Sequence, residues 1–345
     1  MKIKSDIGAA LAVAFALALA TAGQSPAFAS TPQKDKKAEP PPQGKPVLWR
    51  GHEDASSLNL LHGPGGEGKG PDLSRVTFVK EETGGYSPKF RVTDGSGRVW
   101  VAKLGKEAQP ETASVRLVWA AGYVTEASYL VPCVKIEGAP APKKKVDRCE
   151  GNGFANVRFE ARPDEYKRLE EWSWGQNPFK GTKEFQGLVV LMGLLNNWDL
   201  KDANNKIVYV PGGGGEGELR YIISDLGATF GKTGNFITHN RNEPETYAKT
   251  KFVEGVDGGR VRFAYDGKNA GLFSNITVEQ AKWAGEQLSR LSDEQIADAF
   301  RAANYPPEEV SLLAGAVRRK INELVSLPGG AAAPVAAAPD SPGKQ

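Results

Sequence analysis

The sequence predicts an α+β fold in two lobes: an N-terminal antiparallel sheet carrying one helix, then a mostly helical C-terminal lobe. Three observations predict it. Three β-patterned runs, VTFVK, KFRVTD and RVWVAKL, follow one another across residues 75–104, separated by turn-forming Gly, Ser, Pro and Asp. One helical pattern, ETASVRLVWAAG, comes next, opened by Pro110 and stopped by Gly122. Helical patterns at 277–289, 292–303 and 307–324 then close the chain, the first two starting at capping boxes, Thr277-x-x-Gln280 and Ser292-x-x-Gln295.

Taken in order, the chain begins with basic residues, Lys2 and Lys4, an apolar run over 7–20 and the small-x-small step Ala27-Phe28-Ala29. This pattern predicts a secretory signal peptide over residues 1–29 and export to the periplasm or the extracellular space, since the run is too short for a membrane span. No other stretch holds the roughly 20 apolar residues that a spanning helix needs, so no membrane span is expected after cleavage. Residues 30–46 are rich in Pro, Lys and Gln and read as a disordered linker. Residues 47–74, with Trp49, Leu58, Leu60 and Leu61, read as an N-terminal extension packed on the domain. The N-terminal lobe is placed at 75–160, the C-terminal lobe at 161–326, and an Ala/Pro/Gly-rich disordered tail at 327–345.

Composition narrows the function. The 345 residues are 40% hydrophobic, enough for a sizeable core, and carry a formal charge of +3. Signal cleavage would remove two lysines and one aspartate and leave +2, too small an excess for a nucleic-acid partner, which requires a clustered basic face. Lys143-Lys144-Lys145 is one short run and reads as a solvated loop. Cys133 and Cys149 are the only cysteines, and in an exported chain they are expected to bridge. Neither lies in a CxxC pair and the three histidines are scattered, which argues against structural zinc.

Within the N-terminal lobe, Thr83-Gly84-Gly85-Tyr86-Ser87-Pro88 forms a hairpin tip whose backbone N–H groups and Ser87 hydroxyl suit phosphate, although an ordinary surface turn has the same composition. Gly63, Gly65 and Gly68 match GxGxxG without a following helix. Gly212, Gly214 and Gly217 match it between two strands, KIVYV and LRYIIS, so neither set carries a dinucleotide fingerprint. Thr182 caps a helix over 183–196 whose Phe185, Leu188, Val189, Met192 and Leu195 form a buried stripe. Residues 227–276 read as an ordered loop region with one strand at RVRFAY.

The chemistry concentrates at 192–231, where Asp199, Lys201, Asn204 and Asp225 surround two short strands. Two carboxylates, a lysine and an amide suit a divalent metal with phosphate: Asn204 and Asp225 as oxygen ligands, Asp199 as base toward an acceptor hydroxyl, Lys201 against charge on a moving phosphoryl group. Asp202 reads as a solvated loop acid.

These residues resemble the protein-kinase catalytic core. Asp199-Leu200-Lys201-x-x-Asn204 is similar to the D-L-K-x-x-N part of the catalytic loop, Asp225-Leu226-Gly227 to D-F-G, and Val101-Ala102-Lys103 to the strand that ends in the nucleotide-binding lysine. Asn197-Trp198 replaces His-Arg and no A-P-E follows, a pattern closer to the atypical branches: HipA-type bacterial kinases, phosphoinositide kinases and secretory-pathway kinases. Glu111 to Gly122 looks like the helix that HipA-type proteins place after their lysine strand. The resemblance covers about residues 75–230. It implies a two-lobed protein-kinase-like fold with Lys103 on the α/β-phosphates, Glu111 as its ion-pair partner, Gly84, Gly85 and Ser87 near the phosphates, and Asn204 with Asp225 on metal. The cofactors implied are ATP and Mg²⁺ or Mn²⁺, and the acceptor is a protein or small-molecule hydroxyl. Phosphorylation and adenylylation share these motifs, and a catalytically silent binding module outside the cytoplasmic membrane is the alternative.

Overall fold

The computed structural model describes residues 41–234 and 237–329. The expected signal peptide, most of the expected linker and the tail from residue 330 lie outside these.

The chain enters through β1 (Gly44–Val47), and β2 (Thr77–Glu82), β3 (Lys89–Thr93) and β4 (Val99–Lys103) follow as an antiparallel meander. Helix α1 (Ala108–Ala120) intervenes before β5 (Ser128–Val134) and β6 (Phe154–Ala161), and the five strands stand in the order β2-β3-β4-β6-β5. Alternation divides this sheet. Phe90, Val92, Trp100, Ala102 and Phe159 pack into one apolar layer, which leaves Lys89, Arg91, Lys103, Arg158 and Glu160 on the opposite face. Two-residue side-chain periodicity therefore assigns the polar face to the cleft before any contact is considered.

After the connector comes β7 (Lys167–Arg168), then α2 (Lys183–Leu194), whose start is fixed by Thr182 accepting from Phe185 N. The expected stripe on α2 is in fact a continuous surface: residues 187–194 are all buried, because this helix runs through the middle of the C-terminal lobe. A Cβ at Gly187 would lie 2.4 Å from the Trp283 ring, so only glycine permits this approach. Strands β8 (Asn205–Val210) and β9 (Gly217–Ile223) form the expected hairpin around the glycine run.

Short α3 (Pro244–Ala248) precedes the antiparallel pair β10 (Val253–Asp257) and β11 (Arg260–Phe263). The chain then ends in α4 (Val278–Ser289), α5 (Asp293–Arg301) and α6 (Pro307–Val325), and both predicted capping boxes are made. One core, built from α1, α2 and α4 to α6, spans the two lobes. The fold is thus α+β in two lobes, as the strand and helix patterns predict.

Three local differences have physical causes. Residues 44–47 are not linker: β1 lies parallel to β9, supplying backbone hydrogen bonds to an otherwise open edge. RVRFAY has a partner strand, β10, whose Gly255 and acidic residues hide its pattern. Helix α1 starts at Ala108, two residues before Pro110, which still lies within the first turn where its missing N–H costs nothing.

Cys133 and Cys149 form a disulfide that ties β5 to the loop before β6. No helix among the described residues is long and apolar enough to cross a membrane.

Candidate active site

Lys103 ends β4 on the polar face of the sheet and is buried to 3% exposure. Its ammonium sits 2.6 Å from Glu111 Oε2 and 3.1 Å from Asp225 Oδ1, with Glu107 Oε2 at 3.3 Å. Burial alone would lower the Lys103 pKa, but Asp225 and Glu111 outweigh it and hold it above the ordinary lysine value. Burial likewise acts to raise the Asp225 carboxyl. The Lys103 charge and the Gly227 N–H, which donates to Oδ1 at 3.1 Å, overcome that and hold it below the usual range. Glu111 reaches Lys103 although only eight residues separate them, because the short turn through Gly105 leads straight into α1.

Asp225 follows β9, and its backbone N–H donates to Asn204 O at 3.3 Å, while Ser224 N donates to the same oxygen at 2.8 Å. The Asn204 amide nitrogen donates to Asp199 O at 2.7 Å and to Asp199 Oδ2 at 3.3 Å. A continuous path of contacts therefore joins Lys103, Asp225, Asn204 and Asp199. Asp199 Oδ2 also meets Lys201 Nζ at 2.8 Å. Its Oδ1 accepts no hydrogen bond from the described residues and has Lys268 Nζ at 3.4 Å. Asn204 and Asp225 supply oxygens of the hard kind that magnesium or manganese takes. Among the described residues no group of three or more His, Cys, Asp or Glu is placed to hold a metal, so an ion here would depend on further oxygens from its ligand.

The glycine hairpin covers this centre. Gly84 and Gly85 adopt positive φ angles of 97° and 76°, which lets the tip fold back tightly. Ser87 turns inward: its hydroxyl donates to Glu107 Oε2 at 2.7 Å and is committed there. Tyr86 at the tip is held from two sides. Lys144 lies 3.6 Å from its ring centroid and donates to its carbonyl oxygen, and Arg241 stacks 4.6 Å from the same ring. The Arg241 guanidinium also pairs with Glu107 and lies 4.8 Å from the Trp198 ring centroid, so it bridges the two lobes next to Asp199. Burial lowers its pKa.

The structure thus brings together Lys103, Glu111, Asp225, Asn204, Asp199 and Lys201, places Gly84 and Gly85 at the exposed tip, and gives Ser87 to Glu107. Sequence reasoning missed Glu107, Lys89, Arg241 and Lys268. Lys103 ends β4 and Glu107 precedes α1, so no helical spacing pairs them, and Arg241, 134 residues from Glu107, left no signal either.

A cavity of about 450 Å³ borders the connector between the lobes, with Val99 and Ala161 on the sheet side and Val208, Val210 and Ile222 on the hairpin side. It does not include Lys103 or Asp225. Val99 is four residues from Lys103 on the same face of β4, about 13 Å along the strand.

No protein-family model matches the sequence, and no curated protein sequence matches it. Among solved structures the chain is similar to the Helicobacter pylori proinflammatory kinase CtkA, at 11% identity over 74% of this chain and 94% of that one, with a TM-score of 0.42. It is similar to the Golgi casein kinase at 12% identity over 74% and 72%, TM-score 0.41, and to that kinase with Mn/ADP bound at 11% over 71% and 73%, TM-score 0.31. The order of the five strands, the helix inserted after the lysine strand and the closure of Asp225 onto Lys103 give the chain a two-lobed protein-kinase-like fold.

Proposed function

We propose that this is an exported phosphotransferase that moves the terminal phosphoryl group of ATP, with Mg²⁺ or Mn²⁺, to a protein or small-molecule hydroxyl. The observation that carries this reading is the Lys103 ammonium set between Glu111 and Asp225, with Asn204 and Asp199 linked to Asp225 by hydrogen bonds. A divalent ion held there would supply positive charge to offset that of the phosphates.

The chain's own residues would do the rest. Glu111 orients Lys103 so that its positive charge is aimed rather than mobile, as electrostatic stabilisation of a phosphoryl group requires. Asn204 and Asp225 would hold the ion. The Asn204 amide fixes the Asp199 carboxylate, whose Oδ1 would accept the proton of the attacking hydroxyl, and Lys201 would screen charge beside it. The cavity beside the connector, about 450 Å³ and lined by Val99, Ala161, Val208 and Ile222 together with charged side chains such as Arg91, Glu126 and Arg162, would admit a purine base. Export is supported by the N-terminal sequence pattern and by a disulfide that belongs to an oxidising compartment.

A second reading, a silent nucleotide-binding module, is favoured by Arg241, which stands between Tyr86 and Trp198 at the cleft. One experiment separates the two readings. The chain from Ser30 is incubated with ATP labelled at the α or the γ position, a mixed protein and hydroxyl-acceptor panel, and Mg²⁺ or Mn²⁺. Transfer of γ label supports phosphorylation and transfer of α label supports adenylylation. Binding without transfer supports the silent module, and absence of nucleotide binding rejects both.

A further inference from the structure

Lys89 opens β3 directly opposite Lys103 on β4, the two Cα atoms being paired in the antiparallel register. Side-chain alternation puts both lysines on the cleft face, with Phe90 buried in the layer behind. Like charges placed opposite one another across two strands are unfavourable, and part-burial of the second one adds a desolvation cost. The carboxylates that neutralise Lys103 do not serve Lys89. Glu111, Asp225 and Glu107 all lie within 3.3 Å of Lys103 Nζ, whereas no carboxylate among the described residues comes within the 4.0 Å ion-pair distance of Lys89. Its ammonium is drawn beneath the glycine tip instead, 3.1 Å from where a Cβ on Gly85 would lie. A second cation is thus held in the cleft, under the hairpin, with no carboxylate among the described residues in ion-pair contact with it.

We propose that Lys89 is a second phosphate-binding residue, whose counter-charge is the polyphosphate of a nucleotide lying between the glycine tip and Lys103. The idea rests on the nucleotide reading above and adds to it a residue: recognition of the polyphosphate is shared between Lys103 and Lys89. Burial, and then the charge of Lys103, lower the Lys89 pKa against the opposing pull of the more distant Asp225, Glu111 and Glu160 carboxylates, so the acids of the cleft leave this cation undercompensated.

The test compares the wild-type chain with Lys89→Met and Lys89→Arg, measuring ATP and adenosine affinity by calorimetry and thermal stability without ligand. The expected result is a fall of about tenfold or more in ATP affinity for Lys89→Met, the size of one charge-assisted phosphate contact. Adenosine affinity should change less than about twofold. Lys89→Arg should recover most of the loss, and the Tm of ligand-free Lys89→Met should equal or exceed that of the wild type, because an uncompensated charge has been removed. Equal affinity of wild type and Lys89→Met for ATP would overturn the proposal. So would a fall in Tm with equal losses for ATP and adenosine, which marks a structural lysine. A wild-type chain that binds neither ligand would instead overturn the nucleotide reading itself.

Discussion

Lys103 Nζ and Asp225 Oδ1 stand 3.1 Å apart although 122 residues separate them in sequence, so a buried ion pair joins the two lobes. The lysine belongs to the sheet and the aspartate to the turn after β9. Their meeting requires the β8–β9 hairpin, the connector and the start of α1 to be in place together.

Removing that lysine exposes three carboxylates to one another. Lys103→Met should lower stability by about 3–5 kcal/mol at pH 7, the usual cost of breaking a buried pair. The loss should hold from neutral pH down to about pH 4 and shrink below it. Asp225, whose pKa is held down in the folded chain, contributes stability above its unfolded value and loses it as pH falls through the folded one. Lys103, with its raised pKa, contributes below its unfolded value and would lose that only at strongly alkaline pH. Thermal melts of wild type and variant from about pH 2 to 7 check this. A constant difference across that range would contradict it.

Arg241 is expected to restrain the cleft. Arg241→Ala removes the guanidinium from Glu107, Tyr86 and Trp198, while Glu107 keeps Ser87 and Lys103 as partners. Amide exchange at 83–88 should speed up several-fold, and the ATP association rate should rise. Unchanged exchange at the hairpin tip would show that Lys144 alone holds it.

The disulfide anchors the segment that carries Lys144. Cys133→Ser with Cys149→Ser frees a loop of sequence separation 16 and should cost about 3 kcal/mol. Because Lys144 touches the Tyr86 ring and carbonyl, reduction should also raise proteolytic sensitivity at the glycine hairpin. Denaturant titration and limited proteolysis of oxidised and reduced protein check both effects.

Lys320 on α6 is fully buried and donates to Leu194 O at 3.2 Å and to Asn196 Oδ1 at 3.0 Å, directly before the loop that carries Asp199. Asn196 has φ +52° and also donates to Gly231 O. Lys320→Met should leave Asn196 Oδ1 unsatisfied at a cost of roughly 1–3 kcal/mol. It should lower the rate of any transfer more than it lowers nucleotide affinity. An equal effect on both would contradict a positioning role.

Much of the fold was legible because it depends on local chemistry. The meander turns, the Thr182 cap and the two capping boxes each act within a few residues, and the strands and helices fall where those signals put them. The grouping of Lys103, Glu111, Asp199, Asn204 and Asp225 was also accessible, since their order along the chain matched a known pattern. What depended on distant partners was not. Nothing in GKPV announces a strand until β9 is there to receive it, and the Pro, Lys and Gln content of residues 30–46 favoured a linker. Ser87 looked available for phosphate because Glu107, twenty residues away, could not be seen as its acceptor. Arg241 and Lys89 were invisible for the same reason: one is defined by where a loop returns, the other by the lysine opposite it.

The central claim is tested most directly by metal-dependent nucleotide binding and transfer in three proteins: wild type, Asp225→Asn and Asp199→Asn. Wild type should bind ATP only with Mg²⁺ or Mn²⁺ present and transfer its γ-phosphoryl group. Asp225→Asn should lose the metal-dependent part of binding and with it transfer, whereas Asp199→Asn should bind within about threefold of wild type and lose transfer by about 100-fold or more. Transfer at wild-type rate in both variants would contradict the assignment of this cleft as the active site.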